Sequence, residues 1–471
     1  MRSLLERLRE ILGDAHVLTG DDTAPWARDW AGVDQGMPLA VLRPADTQQV
    51  SAILKLANDT ATPVVPIGGN TGLTGATAAP GALLLSLGRM NRIREIRPAA
   101  RVAIVEAGAV LANIHAAAEE HDLIFPLFFG ARGSAMIGGA LSTNAGGSNV
   151  LRYGNTRDLC LGIEVVLANG EVVNLMRQLH KDNSGYDLRH LMIGAEGTLG
   201  VITAAVLKLF PKPLAYATAM IAVRSLDQAL SLLNRLQSET GGAVEAFEYM
   251  PGSYIAAQME RFPNARAPFE HPHEINILVE IGAVIPRDAT PGPDGQTPVS
   301  AHLETLLGQL FEDGVVLDAV IAQTEAQRRE MWARREASAE VSLLRPDIIE
   351  NDVAVPVDRM QDLLTRIDTL LARLAPDARP VSVAHLGDGN LHFSCWPGTD
   401  DPAIHAAIYQ GVEDAALDLG GSFSAEHGIG TSKRASMARY KDPAALAAMR
   451  AIKAALDPNG ILNPGKMLPD G

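Results

Sequence analysis

The chain has 471 residues, 47% of them hydrophobic, enough to bury a sizeable core and to build two or more domains. Its formal net charge of −15 argues against a nucleic-acid partner. Two cysteines, Cys160 and Cys395, supply neither a disulfide framework nor a four-thiolate metal site, and a reducing compartment is the simplest reading.

The first residues, MRSLLERLREILGDAHVL, interleave charge with Leu at helical spacing and lack the unbroken apolar core of a signal peptide. No stretch reaches the roughly 20 apolar residues of a spanning helix, so a cytoplasmic protein without a membrane span is expected. From Pro38 to Pro213 short apolar runs alternate with helical patterns. AVLRP, PVVPI, ALLLSL and RVAIVEAG read as strands, and 46–59 and 110–121 as helices. The segment VVLANGEVV (165–173) reads as a hairpin closed at Asn169-Gly170. Hairpins among helices argue against a purely parallel sheet.

After Pro213 the pattern changes. Strands are expected at 216–223, near Glu245, at 275–281 and at 315–322, with helices at 225–239 and 299–312. That order suggests an antiparallel sheet with helices on one face, a separate cap domain. The Pro-, Gly- and Asp-rich stretch 286–298 reads as a mobile loop. The short strands VSVAH and LHFSC then fold back across the Gly387–Asn390 turn, carrying His385 and His392 to one end of a hairpin. The bland reading is a glycine-rich hairpin with two polar residues at its mouth. The segment FSAEHGIG (423–430) adds Glu426 and His427. Two imidazoles and a carboxylate can hold one divalent cation and leave positions open for water or substrate, with His427 free to move a proton.

A second signature lies upstream. PIGGNTGLTGA (66–76) is too glycine-rich for a helix or a stable strand, yet sits between two apolar runs. Such a loop can aim successive backbone N–H groups at a phosphate. The commoner nucleotide loops are excluded. Gly460–Met467 (GILNPGKM) places a proline where a Walker loop must wrap, ends in Met and has no helix-length segment after it. Gly387-Asp-Gly389 and Gly428-Ile-Gly430 lack the third glycine of a dinucleotide fingerprint.

On these residues the chain resembles the FAD-binding oxidoreductases related to vanillyl-alcohol oxidase and p-cresol methylhydroxylase. The resemblance continues through GGALSTNAGGSNVLRYGNTRD (138–158), GIEVVLANGEVV (162–173) and GYDLRHLMIGAEGTLGVITAAVLKLFPKP (185–213). In the second half HLGDGNLH, AEHGIG and ILNPGK resemble the branch that contains D-2-hydroxyglutarate, D-lactate and glycolate dehydrogenases.

The resemblance implies an α+β fold: a two-subdomain FAD-binding domain with an antiparallel-sheet cap domain. It divides the chain into an N-terminal helical segment (1–37), an FAD domain (38–215), a substrate and cap domain with the metal hairpin (216–425) and a returning C-terminal segment (426–471). It implies that FAD is held by Pro66, Ile67, Gly68, Gly69, Asn70, Thr71, Gly72 and Leu73, by Pro126, Ser134, Ile137 and Gly138, by Thr143, Asn144 and Gly146, and by Gly197, Val201, Ile202 and Asn463. Asn70 stands where relatives with covalent FAD carry a histidine, so the cofactor should be dissociable. His385, His392 and Glu426 are implied as ligands of a divalent metal, zinc first, with manganese or iron as alternatives. His427 is implied as the base while hydride passes from Cα of a D-2-hydroxy acid to flavin N5. Arg335, Asn390 and Ser394 are implied to bind the substrate. From charge pattern alone, Arg335 would instead be an exposed arginine in an Arg-rich helix.

Three positions depart from the hydroxyglutarate-specific pattern. Glu350 stands where those members carry a lysine, Ala339 replaces a hydroxyl-bearing residue and Ser394 replaces an asparagine. A glutamate repels a distal carboxylate, so a shorter, apolar or otherwise different tail is expected. The electron acceptor is not legible, and a homodimer is compatible with the chain. Two rival readings use the same residues: a metallohydrolase built on the His, His, Glu set, and a non-catalytic FAD-binding subunit of a dehydrogenase complex.

Overall fold

A computed structural model describes residues 3–28 and 36–470. The chain divides into two compact units: 1–146, 154–211 and 426–471 form the first, and 147–153 with 212–425 the second. Among the described residues no helix is long and apolar enough to cross a membrane.

The first unit opens on helix α1 (Leu4–Leu12), whose first turn is closed by a reciprocal cap between Ser3 and Glu6. It holds two larger sheets and a two-stranded pairing of Leu123–Ile124 with Phe210–Pro211. One joins β1 (Ala40–Leu42), β2 (Val64–Ile67) and β3 (Leu83–Ser86), with β3 parallel to both neighbours and the short strand Val17–Leu18 added antiparallel on the far side of β1. All four residues of β3 are buried, as expected for a parallel strand covered on both faces. Between β1 and β2 runs α2 (Thr47–Asp59), started where the Asp46 side chain accepts from the Gln49 N–H.

The other sheet is antiparallel. It joins β4 (Ile93–Arg97), β5 (Val102–Glu106), β6 (Cys160–Val166), β7 (Val172–Leu175) and β8 (Val201–Lys208) in the order β4-β5-β8-β6-β7. Helices α3 (Leu111–Glu119) and α4 (Ile137–Thr143) lie between β5 and β6 in sequence. The β6–β7 connection is the expected hairpin, with Gly170 at φ +83°.

The second unit is built on one eight-stranded antiparallel sheet. Its strands are β9 (Ala215–Val223), β10 (Val244–Pro251), β11 (Ile275–Ala283), β12 (Val316–Ile321), β13 (Ile349–Ala354), β14 (Val383–His385) and β15 (Asn390–Trp396), ordered β12-β9-β11-β10-β14-β15-β13, with Arg379–Pro380 also pairing to β15. Alternation along these strands sorts the two faces. Ala219, Ile221, Phe247, Tyr249, Leu391 and Phe393 pack into one large core with the apolar sides of α5 (Leu226–Thr240), α6 (Pro298–Glu312), α7 (Met360–Leu374) and α8 (Pro402–Leu417).

The expectation of helices on one face is only half met. Met220, Ala222, Met250 and Leu278 point the other way and pack with Tyr254 and Ala257 of Gly252–Arg261, Met331 of Glu325–Glu336 and Val341 of Ser338–Ser342. Gly252–Arg261 follows β10 directly and was not legible as a helix. Within the stretch expected to be a loop, Pro286–Ala289 forms one helical turn.

Candidate active site

In the first unit the glycine loop follows β2. An added Cβ on Gly69 would stand 2.1 Å from the Ser134 carbonyl oxygen, so only glycine permits this approach. Gly197 lies nearly as close to Pro66, where an added Cβ would meet the proline Cγ at 2.4 Å. At Gly72 an added Cβ meets nothing within 4 Å. Asn70 is left-handed at φ +54°, with its amide donating to the Arg28 carbonyl and its oxygen accepting from Thr77. Ile137, Gly138 and Thr143 belong to α4, with Asn144 as its left-handed cap. Ile202 and Val201 open β8. Asn463 reaches the same region: its amide donates to the carbonyls of Ala76 and Glu196, while its buried oxygen has no partner. Pro126 and Gly146 lie on the loops after 123–124 and after α4.

The segment AEHGIG is held against this loop from both sides. Thr74 accepts from the N–H groups of Thr431 and Ser432 and donates through its hydroxyl to the His427 carbonyl. Glu196, only 5% exposed, accepts the Ile429 N–H at 2.7 Å and the Gly430 N–H at 2.8 Å. Burial raises its pKa, opposed by those two bonds and by Lys433. Gly430, at φ +51°, passes so close to Thr74 that an added Cβ would stand 2.1 Å from its carbonyl oxygen. The backbone bends through 425–427, and His427 Nε2 lies 3.8 Å from Glu426 Oε1. Two adjacent side chains thus lie near one another, which an extended strand forbids.

In the second unit, the sheet face that carries α9 (Glu325–Glu336) also carries the polar residues. On β15, Asn390, His392, Ser394 and Trp396 alternate with the core residues Leu391, Phe393 and Cys395. His385 pairs with Asn390 and Val383 with His392, so both histidines share that face, with ring centroids 5.1 Å apart at an interplanar angle of 81°. Each ring has a carboxylate close by. Glu248 on β10 is paired with His385 across the sheet, and its Oε1 lies 2.8 Å from His385 Nδ1. Asp352 on β13 is paired with His392 and lies 3.7 Å from its Nδ1, beyond direct hydrogen bonding. Asp352 also accepts from the Asn390 amide at 2.9 Å and from the Ala425 N–H at 3.1 Å. Ala425 is the last residue of this unit, and Glu426 follows it directly.

Arg335 is not the exposed helix arginine that charge pattern alone suggests. It is 7% exposed, and its Nε donates to Glu248 Oε2 at 2.7 Å. Helical spacing explains the delivery: Arg328, Trp332 and Arg335 line one side of α9. Arg328 and Trp332 both donate to the buried Glu280 on β11, fixing the helix against the sheet. Burial acts to raise the Glu248 pKa, but His385 and Arg335 outweigh it, and the group stays an anion. Arg335 Nη2 is buried without a partner. An unpaired buried donor costs on the order of 1–3 kcal/mol, more when charged, which a substrate carboxylate would relieve.

The other candidate substrate residues are differently placed. Asn390 spends both amide hydrogens inside the fold, on Asp352 and on the Val353 carbonyl. The Ser394 hydroxyl lies 3.3 Å from Ser342 Oγ and 3.4 Å from Glu350 Oε1. Glu350 and Ala339 are both exposed. Sequence reasoning missed Glu196, Glu248 and Asp352. For Glu248 a signal existed: the two acidic residues of an otherwise apolar strand, Glu245 and Glu248 in EAFEYMP, need buried partners.

These residues fit the groups that the motifs imply. The glycine loop has the close approaches of an anion cradle, and the histidine pair has the donor chemistry of a mixed nitrogen and oxygen metal site.

Comparison with known proteins agrees. Residues 38–176 match the model of an FAD-binding domain, and residues 212–467 that of the C-terminal domain of FAD-linked oxidases. The chain is 38% identical to D-2-hydroxyglutarate dehydrogenase of Xanthomonas citri pv. viticola over 95% of its own length and 92% of the relative's. It is 36% identical to the mitochondrial D-2-hydroxyglutarate dehydrogenase of Bos taurus, covering 99% and 83%. It is 34% identical to that of Stutzerimonas stutzeri, covering 99% and 98%. Among solved structures, substrate-bound p-cresol methylhydroxylase shares the fold at a TM-score of 0.77, with 18% identity and coverage of 99% and 96%. The 4-ethylphenol oxidase of Gulosibacter chungangensis does so at 0.72, with 19% identity and coverage of 99% and 97%. By both of its domains and by these relatives, the chain belongs to the family of FAD-linked oxidases.

Proposed function

We propose that the chain oxidises a D-2-hydroxy acid to the 2-oxo acid as an FAD-dependent, metal-assisted dehydrogenase. The observation that carries this reading is the polar face of the second unit: two histidines side by side, and behind them a buried arginine with an unspent donor. A hydrolase would have no use for the FAD-binding domain that precedes this face.

When bound, FAD accepts the hydride of the α-carbon and the divalent ion acidifies the substrate hydroxyl. The roles of the protein follow. Arg335 pairs with the substrate carboxylate through its unspent Nη2. His385, His392 and Glu426 hold the ion, with Glu426 tethered by the Ala425 N–H on Asp352. His427 takes the hydroxyl proton, on a loop anchored by Glu196 and Thr74. FAD is held noncovalently, because Asn70 offers no nucleophilic nitrogen for a bond.

The name shared by the curated relatives makes D-2-hydroxyglutarate one candidate substrate. Glu350 opposes it. On the sheet face Glu350 pairs with Ser394, two residues along β15 from His392 and therefore roughly 7 Å away along the strand. A carboxylate there suits a monocarboxylate or a tail with a hydrogen-bond donor better than a second carboxylate. The test is a purified sample: yellow, releasing its flavin into the supernatant on acid precipitation, and carrying about one divalent ion per chain. A colourless protein refutes the dehydrogenase reading, and a pellet that stays yellow refutes noncovalent binding.

A further inference from the structure

We infer that Glu248 is a positioning residue that couples the metal-ligating ring of His385 to the substrate-binding guanidinium of Arg335. The inference rests on the reading above and adds a residue to it. Glu248 is 1% exposed and spends one carboxylate oxygen on each partner, at 2.8 Å to His385 Nδ1 and 2.7 Å to Arg335 Nε. The three residues come from β10, β14 and α9, so one rigid carboxylate joins three elements.

The geometry is not that of a pair built only for stability. An arginine that pairs simply with a buried carboxylate presents Nε and Nη2 side by side to its two oxygens. Here Glu248 takes only Nε, its other oxygen turns to His385, and Nη2 is left without a partner. On the histidine the same division has a second result. With Nδ1–H donated to Glu248, the ring is held in the tautomer whose Nε2 carries the lone pair that a metal ligand needs. The cation end and the carboxylate end of a 2-hydroxy acid would thus be registered to each other through Glu248. The register is firm because α9 is independently pinned by Arg328 and Trp332 to Glu280.

The test uses the full-length holoprotein and the variants Glu248→Gln and Glu248→Asp. Four quantities are measured: divalent-ion affinity by chelator competition, KM and kcat for a 2-hydroxy monocarboxylate, and FAD content. Gln can accept from only one of the two partners, and Asp is too short to keep both. Loss of such a support typically weakens metal binding 10–100-fold. We expect that loss together with a KM raised about tenfold or more, at full FAD content. Arg335→Lys combined with Glu248→Gln should raise KM no further than either alone, since the two act as one unit. Wild-type metal affinity and KM in a folded variant would overturn the inference, and Glu248→Asp decides the matter if Glu248→Gln does not fold. A wild-type chain that binds no divalent ion refutes the metal reading instead, and KM then decides whether Glu248 positions Arg335.

Discussion

Replacing Glu196 by Gln is expected to loosen the loop that carries His427 while leaving the flavin domain intact. The side chain keeps its size, and its backbone contacts, with Ser142 through the N–H and with Asn463 through the carbonyl, do not change. What changes is the acceptor. The carboxylate receives the Ile429 and Gly430 N–H groups at 2.7 and 2.8 Å, one on each oxygen. An amide can accept one of them and turns its NH2 toward the other. A hydrogen bond to a charged group is worth about 1.5–3 kcal/mol, so losing one should speed exchange of the affected amide roughly 10–150-fold. Hydrogen–deuterium exchange on the peptide spanning 426–433 reads this directly. A base misplaced by about 1 Å can cost on the order of 100-fold in rate, so kcat should fall with it. Unchanged exchange in a folded, flavin-loaded variant would show that Glu196 does not anchor the loop.

Three further outcomes are expected. His427→Ala should keep metal and flavin but lose about 10²–10⁴-fold in rate, whereas Glu426→Ala should lose metal and be partly rescued by excess ion; metal-free His427→Ala beside metal-replete Glu426→Ala would exchange the two roles. Glu350→Lys should raise turnover of D-2-hydroxyglutarate relative to D-lactate, and an unchanged ratio would remove Glu350 from the tail subsite. The third concerns pH. Burial beside Phe125 and Phe128 lowers the His115 pKa to about 4, against the raising effect of its bond to the Leu127 carbonyl. The unfolded chain therefore takes up the proton first, and this stability is fully present above roughly pH 6.5 and lost as pH falls toward the folded value, by up to about 3 kcal/mol. The thermal midpoint should drop more steeply from pH 7 to pH 5 in the wild type than in His115→Gln; equal slopes would refute the assignment.

The parts of the site that were legible in the sequence are those written locally. The β14–β15 hairpin shows its two histidines across one short turn, and the glycine loop stands out within eleven consecutive residues. The supporting carboxylates are written over distance. Glu248 lies 137 positions from His385, and Glu196 lies 233 from Ile429. A glutamate in an apolar strand signals that it needs a buried partner, but not which distant residue supplies one. Arg335 failed on charge pattern for the opposite reason: its helix is rich in arginine, and only packing separates the buried Arg334 and Arg335 from the exposed Arg329. The second layer of helices was obscured because Gly252–Arg261 follows β10 without a loop and its buried face is narrow.

The most direct test of the central claim is anaerobic titration of the purified yellow protein with a panel of D- and L-2-hydroxy acids. D-enantiomers should bleach the flavin absorbance, a monocarboxylate such as D-lactate ahead of D-2-hydroxyglutarate, and prior removal of the divalent ion should suppress the bleaching. A flavin that no D-2-hydroxy acid reduces, in a sample with its metal present, would contradict the account.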